Sequence, residues 1–217
     1  MNANPQAQSG DLFGSTEAIT EGAFLLRGFA AKEAATLFDE AKRIAAAAPF
    51  RNMTTPGGWR MSVAMTNCGE AGWITDRRGY RYEGNDPATG QKWPAMPGIF
   101  SSLAKRAAAE AGWQGFEPDS CLINRYEPGS RLTLHQDRNE RDFAQPIVSV
   151  SLGLPAVFLF GGAERSDRPQ RLRLSSGDVV VWGGPARLYF HGVDPLADGS
   201  DPVTGRCRIN LTLRKAL

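Results

Sequence analysis

The segment LTLHQDRN, residues 132–139, contains one of only two histidines in the chain. His135 and Asp137 lie two positions apart in a stretch that alternates apolar and polar residues, as a half-buried β-strand does. Because a strand sends residues i and i+2 to the same face, this spacing predicts that the imidazole and the carboxylate point at one place. A simple hydrogen-bonded pair is the more frequent explanation of such a motif, so the remaining sequence has to decide whether a metal binds here.

The second histidine, His191, lies in another β-like segment, LYFHGV, which follows the turn-rich residues WGGPAR. Two imidazoles and one carboxylate form the facial triad that binds non-haem Fe(II) and leaves coordination positions open for substrate and oxygen. Two other interpretations stay open: a core histidine that binds no metal, and the zinc site of a hydrolase, which accepts the same ligands. The candidate catalytic and metal-binding residues are His135, Asp137 and His191.

The C-terminal segment CRINLTLR has a polar residue at every second position. If it forms a strand, one face carries Arg208, Asn210, Thr212 and Arg214. Two inward-facing guanidinium groups are costly without a partner, and each can bind a carboxylate in a fork, so the pattern indicates a small dicarboxylate ligand. The segment LINRY adds Asn124 and Tyr126 on one face as further donors. A zinc hydrolase does not explain the arginine pair, whereas a solvent-facing polar strand remains an alternative.

The elements that would position these residues are mainly strands. From Cys121 onward, short β-like segments alternate with Gly, Pro, Ser and Asp, which is typical of a sandwich, barrel or jelly roll. Two segments, within residues 32–49 and 97–112, space their apolar residues as helices do. Residues 51–97 are rich in Gly, Pro, Trp and Tyr, match neither period, and are expected to cover a site. The predicted fold class is α+β, mainly β.

The composition is that of an ordinary globular protein: 217 residues, 41% hydrophobic and 22% charged. A run of about 18 apolar residues is absent, which argues against a membrane span. Residues 1–20 are expected to be a flexible tail and lack the pattern of a signal peptide, and the three cysteines are too far apart for a disulfide framework. We therefore expect a cytoplasmic protein, with a monomer as the default state. The net charge of +2 lies entirely between Phe50 and Trp93.

These segments together resemble the AlkB-like 2-oxoglutarate- and Fe(II)-dependent dioxygenases. The family pattern is HxD, then a histidine, then RxNxxxR, which this chain shows at residues 135–137, 191 and 208–214. Other segments extend the resemblance, in order, over about residues 22–214: TPGG, MSVAMTNCG, WPAMP, CLINRYEPG, PIVSVSLGLPAVF and GDVVVWGG. Each segment alone is generic, but the ordered set is specific.

The resemblance implies a double-stranded β-helix, or jelly roll, with flanking helices and an N-terminal nucleotide-recognition lid. It implies one dioxygenase domain over residues 21–217, with the lid at about 50–97 and the jelly-roll core at about 121–214. By similarity, the two histidines and Asp137 would hold Fe(II), and 2-oxoglutarate and O2 would be co-substrates. The residues expected to bind 2-oxoglutarate are Arg208 and Tyr126 at one end, and Asn124, Asn210 and Arg214 at the end that chelates iron.

The family removes alkyl groups from damaged bases. The resemblance therefore implies oxidative demethylation of 1-methyladenine and 3-methylcytosine in single-stranded DNA, with RNA as a second target and with release of formaldehyde, succinate and CO2. The residues that match the substrate pocket of the family are Trp73, Tyr80, Met61, Asn139 and Arg165. Trp73 and His135 are expected on opposite faces of the base. Family members carry an acidic residue at the position of Asn139, so we expect weaker discrimination in favour of cationic methylated bases here.

Three alternatives accompany this interpretation. The chain could be a 2-oxoglutarate oxygenase that acts on a protein side chain or a small molecule. It could also be a nucleic-acid-binding module whose metal is structural, in which case 2-oxoglutarate would not turn over. The tryptophans between residues 51 and 97 could form a small satellite core instead of a base-binding surface.

Overall fold

The computed structural model of the chain describes residues 15–217. Its regular elements follow in the order β1 (Thr16–Thr20), β2 (Ala23–Leu26), α1 (Ala34–Ala47), β3 (Arg51–Thr54), β4 (Arg60–Gly69), β5 (Gly72–Asp76), β6 (Gly79–Glu83), α2 (Gly98–Glu110), β7 (Ser120–Tyr126), β8 (Leu132–His135), β9 (Ile147–Gly153), β10 (Ala156–Phe160), β11 (Gln170–Leu174), β12 (Val179–Trp182), β13 (His191–Val193) and β14 (Arg208–Arg214). The tail expected over residues 1–20 lies outside the described residues up to position 14, and its last five residues form β1. Within the described part of the chain, no helix is long and apolar enough to cross a membrane.

Two antiparallel sheets form the body of the protein. The larger sheet has the strand order β1-β2-β12-β9-β14-β7-β4-β3, and the smaller has the order β11-β10-β13-β8. Most neighbouring strands come from distant parts of the chain, so the sheets are wound together rather than built from successive hairpins. This arrangement confirms the predicted double-stranded β-helix and the mainly β fold class.

The strand β14, which lies between β9 and β7, is buried on both faces. Its alternate residues Ile209, Leu211 and Leu213 pack into an apolar core with α1 and α2, where Leu37 and Leu103 are fully buried. The two helices lie within the segments predicted from helical spacing. Because side chains alternate along a strand, the polar residues of β14 point to the opposite face of the sheet.

A second core fills the space between the two sheets. Trp182 of the larger sheet packs against Phe158 and Phe160 of the smaller sheet, with ring centroids 6.2 Å apart in both pairs. Val180 and Val193 belong to the same buried cluster. This apolar layer occupies one part of the interior, and the polar face of β14 occupies the rest.

Residues 51–97 differ from the irregular cover predicted for them. The strands β3 and β4 extend the larger sheet, because Val63 and Met65 turn inward and β4 pairs with β7 over six positions. The expectation was wrong here because the polar residues of MSVAMTNC hide the alternation. The strands β5 and β6 form a separate hairpin outside both sheets, whose turn ends at Gly79 with a φ of 118°. The nucleotide-recognition lid expected at about residues 50–97 stays a prediction.

Candidate metal centre and substrate cavity

The two histidines and Asp137 meet at one point between neighbouring strands of the smaller sheet. His135 ends β8, His191 begins β13, and the two residues are register partners. Their ring centroids are 4.4 Å apart, and one ligand atom from each of the three residues lies within 4.8 Å of the others. Asp137 Oδ1 lies 3.9 Å from His135 Nε2, and Asp137 Oδ2 lies 3.7 Å from His191 Nε2. The sequence-predicted ligand set is therefore assembled.

The backbone orients both imidazoles in the same way. His135 Nδ1 lies 2.8 Å from the Thr133 carbonyl oxygen, and His191 Nδ1 lies 3.0 Å from the Tyr189 carbonyl oxygen. When Nδ1–H donates to a carbonyl, Nε2 keeps its lone pair, which is the usual arrangement of a metal-binding histidine. Burial, together with the neighbouring imidazole, lowers the pKa of His135 to about 4, so its ring is neutral at physiological pH.

Asp137 does not lie on the same strand as His135, contrary to the sequence-based expectation. The strand β8 ends at His135 because its partner β13 begins at His191, so no strand remains to pair with residue 137. Asp137 lies instead in the connection from β8 to β9, where Arg214 Nη2 donates to its Oδ2 at 2.5 Å and Arg214 Nε donates at 3.1 Å. Burial alone would raise the pKa of Asp137, but Arg214 and the imidazoles outweigh it and hold the pKa well below its usual value. The carboxylate is thus kept ionised for a cation.

Arg208 is a buried cation without a carboxylate partner in the described structure. Its side chain is 1% exposed, Nη2 donates to Ser151 Oγ at 3.0 Å, and Nε and Nη1 have no hydrogen-bond partner. Its guanidinium lies over the Tyr126 ring, 5.0 Å from the centroid. A buried guanidinium with two free donors is costly unless an anion binds it, so this position fits one end of a dicarboxylate.

The other predicted 2-oxoglutarate residues lie on the same cavity wall. Asn124 and Asn210 are register partners on β7 and β14, and Asn124 Nδ2 donates to Asn210 Oδ1 at 3.3 Å. Asn124 Oδ1 is buried without a partner. Asn210 is held in turn by Ser149 Oγ, to which its Nδ2 donates at 2.8 Å, and by Thr212 Oγ1, which donates to its Oδ1 at 2.9 Å. The polar face of β14 therefore leads from Arg208 to the metal centre.

A cavity of about 490 Å³ connects this wall with the surface. The predicted substrate residues Met61, Trp73, Tyr80, Asn139 and Arg165 all line it, together with the metal ligands. The Trp73 and Tyr80 rings are stacked, with centroids 5.7 Å apart and planes at 21°. Since Tyr80 is 48% exposed, the pair forms an accessible aromatic surface beside the metal centre rather than a closed satellite core.

Asn139 contacts the aromatic pair directly. The Trp73 Nε1–H donates to Asn139 Oδ1 at 3.2 Å, so the amide oxygen is engaged by the hairpin. Arg165 also lines the cavity, and its guanidinium lies 5.4 Å from the centroid of the Phe190 ring. The structure thus brings together every residue proposed for metal, 2-oxoglutarate and base.

Three further residues near the metal centre are absent from the sequence-based set: Glu140 and Arg187, which are buried, and Tyr82, which is half-buried. Glu140 accepts a hydrogen bond from the Tyr82 hydroxyl at 2.6 Å and pairs with Arg187 at 3.2 Å. Burial raises the pKa of Tyr82 well above its usual value, so the hydroxyl stays protonated. Tyr82 shares the strand parity of Tyr80, which is a signal that could have identified it. Nothing in the local sequence marks Arg187, because its partners lie more than 40 residues earlier.

These arrangements fit Fe(II) and 2-oxoglutarate on chemical grounds. The donor set of two imidazoles and one carboxylate suits Fe(II), and its ligand atoms lie within 4.8 Å of one another. Arg208 and Asn124 line the same cavity, and each has buried polar atoms without a hydrogen-bond partner. A polar ligand in the cavity would supply those partners.

Comparison with known proteins agrees with this chemistry. A model of the 2OG-Fe(II) oxygenase superfamily matches residues 22–214. The alpha-ketoglutarate-dependent dioxygenases AlkB of Salmonella typhimurium and Escherichia coli strain K12 are 56% and 55% identical to the chain, covering 92% and 95% of it and 93% and 97% of their own lengths. A tRNA demethylase of Schizosaccharomyces pombe is 30% identical over 66% of this chain and 52% of its own. The solved structure of OsALKBH1 has a TM-score of 0.80 at 26% identity, covering 93% of this chain and 100% of that chain. The chain therefore belongs to the AlkB family of dioxygenases, enzymes of the 2OG-Fe(II) oxygenase superfamily that use Fe(II), 2-oxoglutarate and O2.

Proposed function

We propose that the chain demethylates 1-methyladenine and 3-methylcytosine in single-stranded DNA, with RNA as a second target. Family membership supports oxidative demethylation of nucleic acid bases. The Schizosaccharomyces pombe relative is named a tRNA demethylase, which supports RNA as a second substrate. The observation that carries the proposal is the single cavity in which the His135–Asp137–His191 cluster, the unpaired Arg208 and the Trp73–Tyr80 pair meet. Each of the three would serve one reactant: the metal, 2-oxoglutarate and the base.

When bound, Fe(II) with 2-oxoglutarate and O2 supplies the oxidation, in which one oxygen atom enters the N-methyl group and the other enters succinate as CO2 is lost. The hydroxymethyl group then loses its hydroxyl proton to solvent, the C–N bond breaks to release formaldehyde, and the ring nitrogen regains its lone pair. The chain contributes no separate nucleophile. Arg214 keeps Asp137 ionised, the carbonyls of Thr133 and Tyr189 keep each Nε2 available, and Arg208 would anchor the far carboxylate.

The aromatic surface supports a flipped base as the substrate. A base must leave its stack to reach a buried metal, and aromatic side chains hold it by stacking. Trp73 and Tyr80 lie on the β5–β6 hairpin and line the same cavity as His135. In this arrangement the hairpin acts as the nucleotide-recognition lid, and the methyl group faces the metal. A base that is already unpaired needs no melting, which favours single-stranded substrates.

Exposed cations at the cavity support a polyanionic substrate. Arg138 and Arg165 line the cavity and are exposed, and within residues 15–217 neither lies within ion-pairing distance of a carboxylate. Free cations beside a base-sized cavity can bind the phosphates that flank the base. Affinity for oligonucleotides is therefore expected to fall as salt rises.

The test is aerobic incubation with Fe(II), 2-oxoglutarate and an oligonucleotide that contains one 3-methylcytosine, read by mass. We expect a loss of one methylene unit from the oligonucleotide and stoichiometric formaldehyde and succinate. Omission of 2-oxoglutarate and His135→Ala are the controls, and both should abolish the mass change. Uncoupled turnover of 2-oxoglutarate with no change in methylated DNA or RNA would refute the proposal and favour a protein or small-molecule substrate.

We also propose that residues 21–217 form one catalytic domain that acts as a monomer in the cytoplasm. The single cavity receives side chains from both sheets and from the β5–β6 hairpin, which supports one catalytic unit. The three cysteines are free and buried, as is usual in a reducing compartment. A molecular mass determined by light scattering would test the monomeric state.

A further inference from the structure

The connection from β8 to β9, residues 136–146, carries Asp137 but contains neither a helix nor a strand. Backbone hydrogen bonds of regular structure therefore do not hold the metal ligand in place. Geometric precision at a metal site nonetheless requires that each ligand be fixed by its neighbours. One main-chain hydrogen bond, from Arg141 N–H to the Ala216 carbonyl at 3.2 Å, anchors the middle of the connection, and side-chain contacts supply the rest of the support.

Arg187 spans this connection from one end to the other. Its Nη1 donates to the main-chain carbonyl of Asp137 at 2.8 Å, and its Nε donates to the carbonyl of Gln145 at 3.1 Å. Between these two points its Nη2 pairs with Glu140 at 3.2 Å, and its guanidinium lies 5.2 Å from the centroid of the Phe143 ring. A single buried side chain thus holds three separated points of the connection, which a shorter or less branched cation could not do together.

Glu140 joins this clamp to the base-binding hairpin. Its side chain is 1% exposed, and its second oxygen accepts the Tyr82 hydroxyl at 2.6 Å and lies 3.4 Å from Arg214 Nε. Tyr82 is the register partner of Trp73 in the β5–β6 hairpin. Arg214 is the residue that also binds the Asp137 carboxylate. Glu140 is therefore the shared anion between the two arginines that hold Asp137 and the hairpin that would hold the base.

We propose that Arg187 and Glu140 are positioning residues for Asp137 and that Tyr82 ties them to the β5–β6 hairpin. Arg187 fixes the main chain of the ligand, and Arg214 fixes its carboxylate. Glu140 neutralises and orients both arginines without lining the cavity or contacting the metal centre. The inference rests on the proposed function only for its substrate arm, because the metal arm can be measured without nucleic acid.

The test is titration of the purified protein with Co(II) alone, followed by the visible absorption of the bound ion. Arg187→Lys keeps the charge but loses the fork, and Glu140→Gln keeps the shape but loses the charge. Both are expected to weaken Co(II) binding by about 10- to 100-fold, the usual effect of removing a residue that orients a metal ligand. The matched control is Arg125→Lys, which alters an exposed pair with Glu127 and should leave Co(II) affinity unchanged.

A purely structural contribution of Arg187 and Glu140 predicts a different result. The variants would then unfold at lower temperature, yet bind Co(II) with wild-type affinity and spectrum while folded. That outcome would overturn the proposal. Because wild-type Co(II) binding needs no substrate, failure of this inference is distinguishable from failure of the proposed demethylation.

Tyr82→Phe tests the link to the hairpin and removes only a hydroxyl, so it keeps the proposal falsifiable if the charged variants do not fold. We expect Co(II) affinity to fall about two- to tenfold, the range for loss of one buried hydrogen bond. We also expect KM for the methylated oligonucleotide to rise, because the hairpin loses its bond to Glu140. Wild-type Co(II) affinity in this variant would overturn the link between the hairpin and Asp137, whatever happens to KM.

Discussion

Arg208→Met is expected to stabilise the protein without ligand and to abolish its response to 2-oxoglutarate. The side chain of Arg208 is 1% exposed, and two of its three nitrogens have no partner. Methionine fills a similar volume without a charge. The substitution therefore removes a desolvation cost from the free protein and an anchoring charge from the complex, and the two effects have opposite signs.

Both magnitudes follow from burial. Apolar replacement of buried charged groups is often stabilising by about 1–4 kcal/mol, so the melting temperature of the free variant should rise. In the wild-type protein, 2-oxoglutarate at 100 times its Kd should add about 2.7 kcal/mol. For a chain of this size that corresponds to a rise of roughly 5–11 °C. Truncation of one partner in a buried charge pair costs about 2–5 kcal/mol, which raises Kd by roughly 30- to 5,000-fold.

The assay is thermal unfolding with and without 2-oxoglutarate, with Mn(II) present throughout to occupy the metal centre without turnover. At the ligand concentration used for the wild type, the stabilisation left in Arg208→Met should stay below about 1 kcal/mol. Arg125→Met is the matched control: it is the neighbour of Tyr126 on the exposed face of β7 and should keep the full shift. A variant at Arg208 that melts lower than wild type without ligand and still responds to 2-oxoglutarate would refute the reasoning.

Four further substitutions test other parts of the site. His135→Ala should bind no Co(II) at the Co(II) concentration that saturates the wild-type protein, and it should not demethylate the oligonucleotide. A metal titration and the mass of the product would check the two expectations. Trp73→Ala should raise KM for methylated oligonucleotides by the equivalent of about 1–3 kcal/mol, the value of one stacked base; an unchanged KM would place the base elsewhere. Asn139→Asp should raise kcat/KM on 3-methylcytosine DNA about two- to fivefold, because a carboxylate favours the cationic base and can still accept from Trp73; no gain would count against this. Leu211→Ala should lower the free energy of unfolding by about 2–5 kcal/mol in a denaturant titration, since Leu211 is fully buried between the sheet and the helices.

The residues of the cavity wall could be predicted because strand parity is a local rule. In CRINLTLR, apolar and polar residues alternate, and the structure places Leu211 with the helices and Asn210 in the cavity. The same rule predicted that Asn124 and Tyr126 share a face, and both line the cavity. Prediction succeeds here because side chains alternate between the two faces of a strand, so the face of one residue determines the face of all the others.

The support of Asp137 could not be predicted in the same way. HxD suggested two ligands on one strand, but β8 ends at His135, and Asp137 depends on arginines 50 and 77 residues away in the chain. Contacts of that separation follow from the winding of the two sheets and not from any local period. The strands β3 and β4 were missed for a related reason, because Thr66 and Asn67 are buried polar residues that find partners only in the folded state.

The burial of β14 on both faces explains why this fold suits a dicarboxylate-dependent oxygenase. Its apolar face must be filled for the helices to pack, so the strand cannot shift by one residue without exposing Leu211 and burying Asn210 among the helices. The register that buries the apolar residues of β14 therefore also directs its alternate residues into the cavity, with Arg208 and Arg214 at the two ends of that polar row. At one end Arg208 stays without a carboxylate partner, and at the other Arg214 is neutralised by Asp137. The core thus fixes on one wall an unpaired cation, Arg208, and the arginine that holds the metal ligand Asp137, and the free energy that burial of Arg208 costs is recovered only when an anion binds there.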